Sequence, residues 1–203
     1  AVLTLTMLLA VTAPAAGEGN SGTRFATFNA SLNRNFQGQL FADLSTPANV
    51  QAQTVAEIVQ RTRPEVLLIN EFDFDPDGVA LRLFQENYLS VGQNGAEPIV
   101  YRYRFSAPSN TGIDSGLDLD NNGSVGGPND AFGFGFFPGQ FGMAVYSQHP
   151  ILEAQIRTFQ RFLWKDMPGA LLPDDPSTPA SADWYSQEEL GVFRLSSKRH
   201  WDI

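Results

Sequence analysis

The sequence predicts an α/β protein organised around a β-α-β unit. Two apolar runs, Arg24 to Asn29 (RFATFN) and Pro64 to Glu71 (PEVLLINE), have the composition of buried parallel strands, and the stretch between them has helical spacing. Each run closes on a polar side chain, at the strand end where α/β folds place their ligand sites.

The elements follow in order. A strand over 23–30 leads into a polar loop and then a helix over 48–62, with Val50, Val55, Ile58 and Val59 on one face. Pro64 marks the boundary before a strand over 65–71, because the residue preceding a proline is pushed out of helical geometry. Such a crossover is nearly always right-handed and brings both strand ends to one sheet edge, so Asn29 and Glu71 converge. Val79 to Leu89 has the pattern of a short amphipathic helix. Ile99 to Phe105 (IVYRYRF) alternates as an outer strand, with Tyr101 and Tyr103 on one face and Arg102 and Arg104 on the other. Residues 106–140 form a long loop rich in Gly, Asn, Pro and Asp, and structureless loops of that length are usually functional or disordered. A strand over 141–147 resumes the core, Ile151 to Leu163 holds another, and a last one begins within 195–203. The capping-box spacing of Ser186 to Glu189 (SQEE) predicts a short helix ending at Gly191. No internal repeat of useful length is present.

Composition sets bounds on function. The 203 residues are 42% hydrophobic, enough to bury one sizeable core. A net charge of −9 disfavours long-range attraction of nucleic-acid phosphates, leaving substrate phosphate to be met by metal and a few local cations. With no cysteine, neither a disulfide framework nor a thiolate metal site can form. Ala1 to Val11 is apolar but too short to span a bilayer and runs into the small residues Ala13, Pro14, Ala15 and Ala16, a pattern of signal-peptide core and cleavage end. The expected organisation is a signal-peptide remnant at 1–16, a linker at 17–22 and a folded domain over 23–203. The mature chain has no membrane span, is secreted or periplasmic, and is expected to be a monomer.

Asn29 and Glu71 together offer only oxygen donors, which suit Mg²⁺, Mn²⁺ or Ca²⁺ better than Zn²⁺. At this point the chain resembles the endonuclease/exonuclease/phosphatase superfamily. The family's first strand ends in an Asn near the metal and its second in a Glu that binds it, matching Asn29 and Glu71. Gly142 to Ile151 (GMAVYSQHPI) is similar to the family's Gly, apolar, Ser-x-x-Pro strand and turn. The resemblance covers residues 23–203 and implies a DNase I-like two-sheet sandwich flanked by helices. It implies hydrolysis of a phosphate ester with Mg²⁺ or Mn²⁺, Glu71 holding the ion and Asn29 positioning the phosphoryl group or a water. The family's later His and Asp motifs have no counterpart here, since the two histidines, His149 and His200, fall outside them. The chain is therefore expected to be the N-terminal portion of a longer member, lacking its start as well, and inactive by itself.

Other candidates are less specific. Lys198 and His200, within Ser196 to Asp202 (SSKRHWD), are candidate substrate contacts, with an exposed basic strand start as the alternative. Gln140, in Pro138 to Gly142, and Lys165, in Trp164 to Gly169, are further candidate contacts. Asp73 to Gly78 (DFDPDG) and Asp118 to Gly123 (DLDNNG) each match the first half of a calcium loop, but Phe84 and Asn129 stand where a bidentate Glu belongs. The first is expected to be an acidic helix cap. In the second, Asp118, Asp120, Asn122 and Asp130 offer Ca²⁺ ligands, with a solvated turn as the alternative. Ala131 to Phe137 (AFGFGFF) lacks the Lys of a phosphate loop and is expected to pack under its loop. The reading that competes with an enzyme is a secreted, calcium-stabilised, non-catalytic binding module on the same scaffold.

Overall fold

A computed structural model describes residues 22–203. The expected signal-peptide remnant, and the linker up to residue 21, lie outside the described residues. Strand β1 (Phe25–Leu32) runs parallel to β2 (Val66–Phe72), and helices α1 (Gln39–Leu44) and α2 (Val50–Thr62) lie on the crossover between them. Helix α3 (Val79–Phe84) follows, then β3 (Tyr103–Phe105) and β4 (Met143–Ser147), giving an antiparallel continuation and a sheet ordered β1-β2-β4-β3. A second, two-stranded antiparallel sheet pairs β5 (Arg157–Thr158) with β6 (Trp201–Asp202). Mixed α/β layering with two sheets, flanking helices and no closed barrel agrees with the predicted fold class.

One face of the larger sheet carries the core. Leu67, Ile69, Ala144 and Tyr146 meet Ala52, Val55, Ala56 and Val59 of α2 and Ala80, Leu81 and Phe84 of α3. The stripe on α2 differs from the predicted one: Val50 and Ile58 are 73% and 42% exposed. At about 100° per residue, positions 52, 55, 56 and 59 fall on one side and 50 and 58 outside it. Asn49 caps this helix, its side chain accepting from Ala52 N at 3.0 Å.

Helix α3 runs into a widened π turn over Gln85–Leu89, so the predicted helix over 79–89 is continuous but irregular at its end. Buried Gln85 bonds Ile99 O and Tyr101 N there. Those bonds hold residues 99–102 outside the ladder, which is why only Tyr103–Phe105 of the predicted strand pairs. Tyr101 is buried and Tyr103 exposed, so they do not share an environment. The strand predicted within 151–163 is reduced to β5, and the last strand to β6. The capping box is present, with Glu189 N donating to Ser186 Oγ at 3.2 Å at the start of α4 (Gln187–Leu190). Among the described residues, no helix is long and apolar enough to cross a membrane.

The opposite sheet face carries Phe25, Val66, Leu68, Met143 and Val145, and the segment 199–203 lies against it. Phe105 of β3 meets Trp201 of β6 edge-on, with ring centroids 5.1 Å apart.

Candidate active site

Strand alternation breaks at the rim, and the break builds the site. Leu67 and Ile69 face the core, so regular alternation would send Glu71 inward as well. Instead Glu71 adopts φ 59°, a left-handed conformation rare for a residue with a side chain, and Phe72 takes the buried position. On the neighbouring strand Ser31 is also left-handed, φ 49°, where the β1/β2 register shifts between Asn29 and Leu32. Ser31 N donates to Asn29 Oδ1 at 3.1 Å, and Ser31 Oγ donates to Glu71 Oε2 at 3.4 Å. Asn29 and Glu71 thus lie at the same sheet edge and share one hydrogen-bonding neighbour, as the β-α-β geometry requires.

Glu71 opens into a cleft of about 390 Å³ lined by Thr111, Phe134, Phe141, Ser197 and Lys198. The long loop over 106–140 supplies Thr111 and Phe134 and is tied down at both flanks. Asn110 N donates to Lys198 O at 2.9 Å, and Gly112 N to Gly133 O at 2.8 Å. Gly133 packs so tightly on Ser197 that a Cβ would collide with its carbonyl, which fixes the 196–198 segment against the loop.

Lys198 is half-buried and donates through Nζ to Phe141 O. Burial pushes its pKa down, while the neighbouring Glu71 and Asp73 carboxylates pull it back up. Asp73, two residues beyond Glu71, is 6% exposed. Its Oδ2 accepts from Arg34 N at 2.7 Å and its Oδ1 from Phe141 N at 3.0 Å. Burial raises its pKa to about 6 against those bonds and the nearby Arg34 and Lys198 charges. Phe141, also left-handed at φ 54°, is therefore gripped at its N–H by Asp73 and at its carbonyl by Lys198. Non-glycine residues in this conformation concentrate at functional sites, and Glu71 and Phe141 line one cleft.

The remaining predicted candidates separate. Gln140 is buried, and its amide is engaged at both ends, Nε2 on Arg34 O at 2.6 Å and Oε1 with Phe136 N at 2.8 Å. It braces two loops and is not among the residues lining the Glu71 cleft. Lys165 is exposed on a 3₁₀ turn over Trp164–Asp166 and is not among the residues lining the cleft. His200 belongs to the apolar groove on the sheet face, beside Phe25, Leu68 and Trp201, while Lys198 belongs to the Glu71 cleft. His149 pairs with Glu65 at 2.9 Å, at the other end of β2.

The three acidic residues that follow β2, Asp73, Asp75 and Asp77, differ in role. Asp75 starts α3, accepting from Ala80 N at 2.9 Å, Asp73 braces the rim, and Asp77 is exposed. The AFGFGFF segment corrects its prediction: Phe134 and Phe136 are 50% and 68% exposed, with ring centroids 5.5 Å apart. Ser31, Asp73, Thr111 and Phe141 were not singled out for the site by sequence reasoning. Only Asp73 carried a signal, as the first residue of the DFDPDG run.

A second acidic locus lies in the loop. Carboxylate oxygens of Asp118, Asp120 and Asp130 all fall within 4.8 Å of one another, an arrangement that can hold a metal ion. Asp130 is fully buried and accepts from Leu119 N and Gly126 N, each at 2.8 Å. Asn122 Oδ1 accepts from Ser124 N at 2.9 Å.

Comparison with curated proteins and with solved structures gives no match. The family model of the Endonuclease/Exonuclease/phosphatase family matches residues 26–201, a span that takes in β1 through β6 and every cleft residue. Members of that family are generally hydrolases of phosphate esters and generally use divalent metals. On this match over residues 26–201, the chain belongs to the Endonuclease/Exonuclease/phosphatase family.

Proposed function

We propose that this chain carries the metal and phosphate side of a divalent-metal-dependent phosphoesterase. The observation that supports it best is Glu71, turned by its left-handed backbone into a cleft it shares with Lys198. The donor set fits a hard cation: Glu71 and Asn29 contribute carboxylate and amide oxygens, with Ser31 hydroxyl between them. Glu71 would hold Mg²⁺ or Mn²⁺, and Asn29 would orient the phosphoryl group or a water. When bound, such a cation stabilises charge on phosphoryl oxygens and leaving group.

Lys198 supplies a cation to the phosphate, and its bond to Phe141 O keeps the ammonium directed at the cleft. Among the described residues no histidine lines this cleft. These residues are therefore expected to bind metal and phosphate without rapid turnover. On this reading the substrate is a phosphate ester and the protein acts outside the cytoplasm as a monomer, with net charge disfavouring a nucleic-acid polymer.

The test is Mn²⁺ titration by calorimetry on wild type and Glu71→Gln, followed by inorganic phosphate. Affinity for Mn²⁺ is expected to fall by about tenfold or more in the variant, since a carboxylate ligand is lost. Equal affinity in both proteins would sink the assignment. A second reading, the calcium-stabilised binding module, draws support from Asp118, Asp120 and Asp130. Under it Ca²⁺ binds the loop while the Glu71 cleft takes neither Mn²⁺ nor phosphate.

A further inference from the structure

Asp73 stands two residues beyond Glu71 and would pass for a second metal ligand, yet the structure turns it away from the cation site. It is buried and is not among the residues lining the Glu71 cleft. Both its oxygens are engaged by main-chain N–H groups, Oδ2 by Arg34 and Oδ1 by Phe141. Two further main-chain bonds, Phe72 N to Gly142 O at 3.2 Å and Phe74 N to Gly139 O at 2.9 Å, lay the turn over 139–142 directly on the end of β2. The approach is close: a Cβ on Gly142 would stand 2.8 Å from Phe72 O, and one on Gly139 2.9 Å from Phe74 Cβ.

The main chain of Phe141 is bonded on both sides, its N–H donating to Asp73 and its carbonyl accepting from Lys198 Nζ. At φ 54° it holds a conformation that residues with side chains keep only under constraint. Released from Asp73, Phe141 would relax toward negative φ and swing its carbonyl off the ammonium, leaving the long Lys198 side chain free to rotate.

We propose that Asp73 is the positioning residue for Lys198: it fixes the Phe141 main chain, whose carbonyl in turn aims the ammonium at the phosphate of a bound ester. The first half of that chain of contacts is geometry, and the second rests on the phosphate-ester reading of the Glu71 cleft. Asp73 acts through another residue and touches neither metal nor substrate. Charge alone would give it the opposite effect, because a carboxylate beside an anion site repels phosphate and neutralising it tightens binding. Positioning makes binding weaker when Asp73 is removed, so the sign of the change separates the two.

The experiment joins brief acetylation with calorimetry on the full chain at about pH 8, where Asp73 is ionised. Lys165 and Lys198 are the lysines of the sequence, so the exposed Lys165 serves as internal reference. Acetylation of Lys198 relative to Lys165, read by mass spectrometry, should rise about threefold or more in Asp73→Ala, as a hydrogen-bonded amine is released. Inorganic phosphate, with Mg²⁺ present, should bind that variant about three- to tenfold more weakly, while Mn²⁺ affinity stays within about twofold. Asp73→Asn keeps one amide oxygen for the Phe141 N–H and should lie between wild type and Asp73→Ala in both readouts; it decides alone if Asp73→Ala does not fold. An unchanged labelling ratio, phosphate binding as tight as wild type or tighter in either variant, or a Mn²⁺ loss like that of Glu71→Gln would each overturn the positioning role while leaving the phosphate reading intact. If wild type binds no phosphate, the phosphate-ester reading fails whatever the labelling shows, and this proposal falls with it.

Discussion

Ser31 Oγ donates to Glu71 Oε2 across the β1/β2 strand ends, and the backbone N–H of the same serine holds Asn29 Oδ1. One residue thus sets the direction of both oxygen-bearing side chains. Removing only the hydroxyl, in Ser31→Ala, leaves the bond to Asn29 and frees Glu71 to turn. Mn²⁺ affinity is expected to fall by about three- to tenfold, with the fold unaffected by far-ultraviolet circular dichroism. An unchanged dissociation constant would show that Glu71 is oriented without Ser31.

Glu71 itself stands in a conformation that costs a residue with a side chain about 1–3 kcal/mol. Glycine relieves that strain but adds freedom to the unfolded chain, worth about 0.5–1 kcal/mol in the other direction. Glu71→Gly is therefore expected to keep stability or raise it by up to about 2.5 kcal/mol while losing Mn²⁺ binding. Urea denaturation beside metal titration measures both; a clear loss of stability would show that the strain is absent.

Asp73 gives a pH dependence of defined sign. Its pKa rises from an ordinary carboxylate value to about 6 on folding, because burial disfavours the charged form. The native state then holds its proton where the unfolded state has released it. This contribution to stability is fully present below the unfolded pKa and is lost as pH rises toward and through about 6. Against Asp73→Asn, wild type should lose about 1–3 kcal/mol more between pH 4 and pH 7, other carboxylates cancelling in the difference. Parallel urea titration curves for the two proteins would contradict it.

The Asp118, Asp120 and Asp130 cluster makes a separate prediction. Calcium at about 100 times its dissociation constant should add about 2.7 kcal/mol to unfolding, and chelation should remove it. Asp120→Asn should abolish the increment with little basal effect, since that side chain is exposed. Asp130→Ala should instead destabilise the calcium-free protein by about 1–3 kcal/mol, because Leu119 and Gly126 lose a buried acceptor. No calcium-dependent shift in the midpoint would leave the loop a solvated turn.

The sequence made the parallel crossover legible because its signals are local: apolar runs, helical spacing, Pro64 as a boundary, and Asn29 and Glu71 closing the strands. The capping box at Ser186 was readable for the same reason. Lys198 was visible as a cation, but nothing local separated it from His200, which the chain sends to a different face. Strand lengths near 99–105 and 151–163 were overestimated because alternation records which side chains suit a sheet, not whether a neighbouring strand is there to pair. The left-handed backbone at Ser31, Glu71 and Phe141 left no trace in residue type, since each is imposed by tertiary partners. Phe134 and Phe136 were assigned to packing on composition alone, and residue type held no sign of their exposure.

Gln140 has a consequence of its own. A buried amide that clasps Arg34 O with one hand and Phe136 N with the other staples the segment leading into β4 to the turn after β1. Changes confined to the exposed turn over 121–125 would therefore leave the start of β4 undisturbed. The footing of the cleft is thereby insulated from that turn.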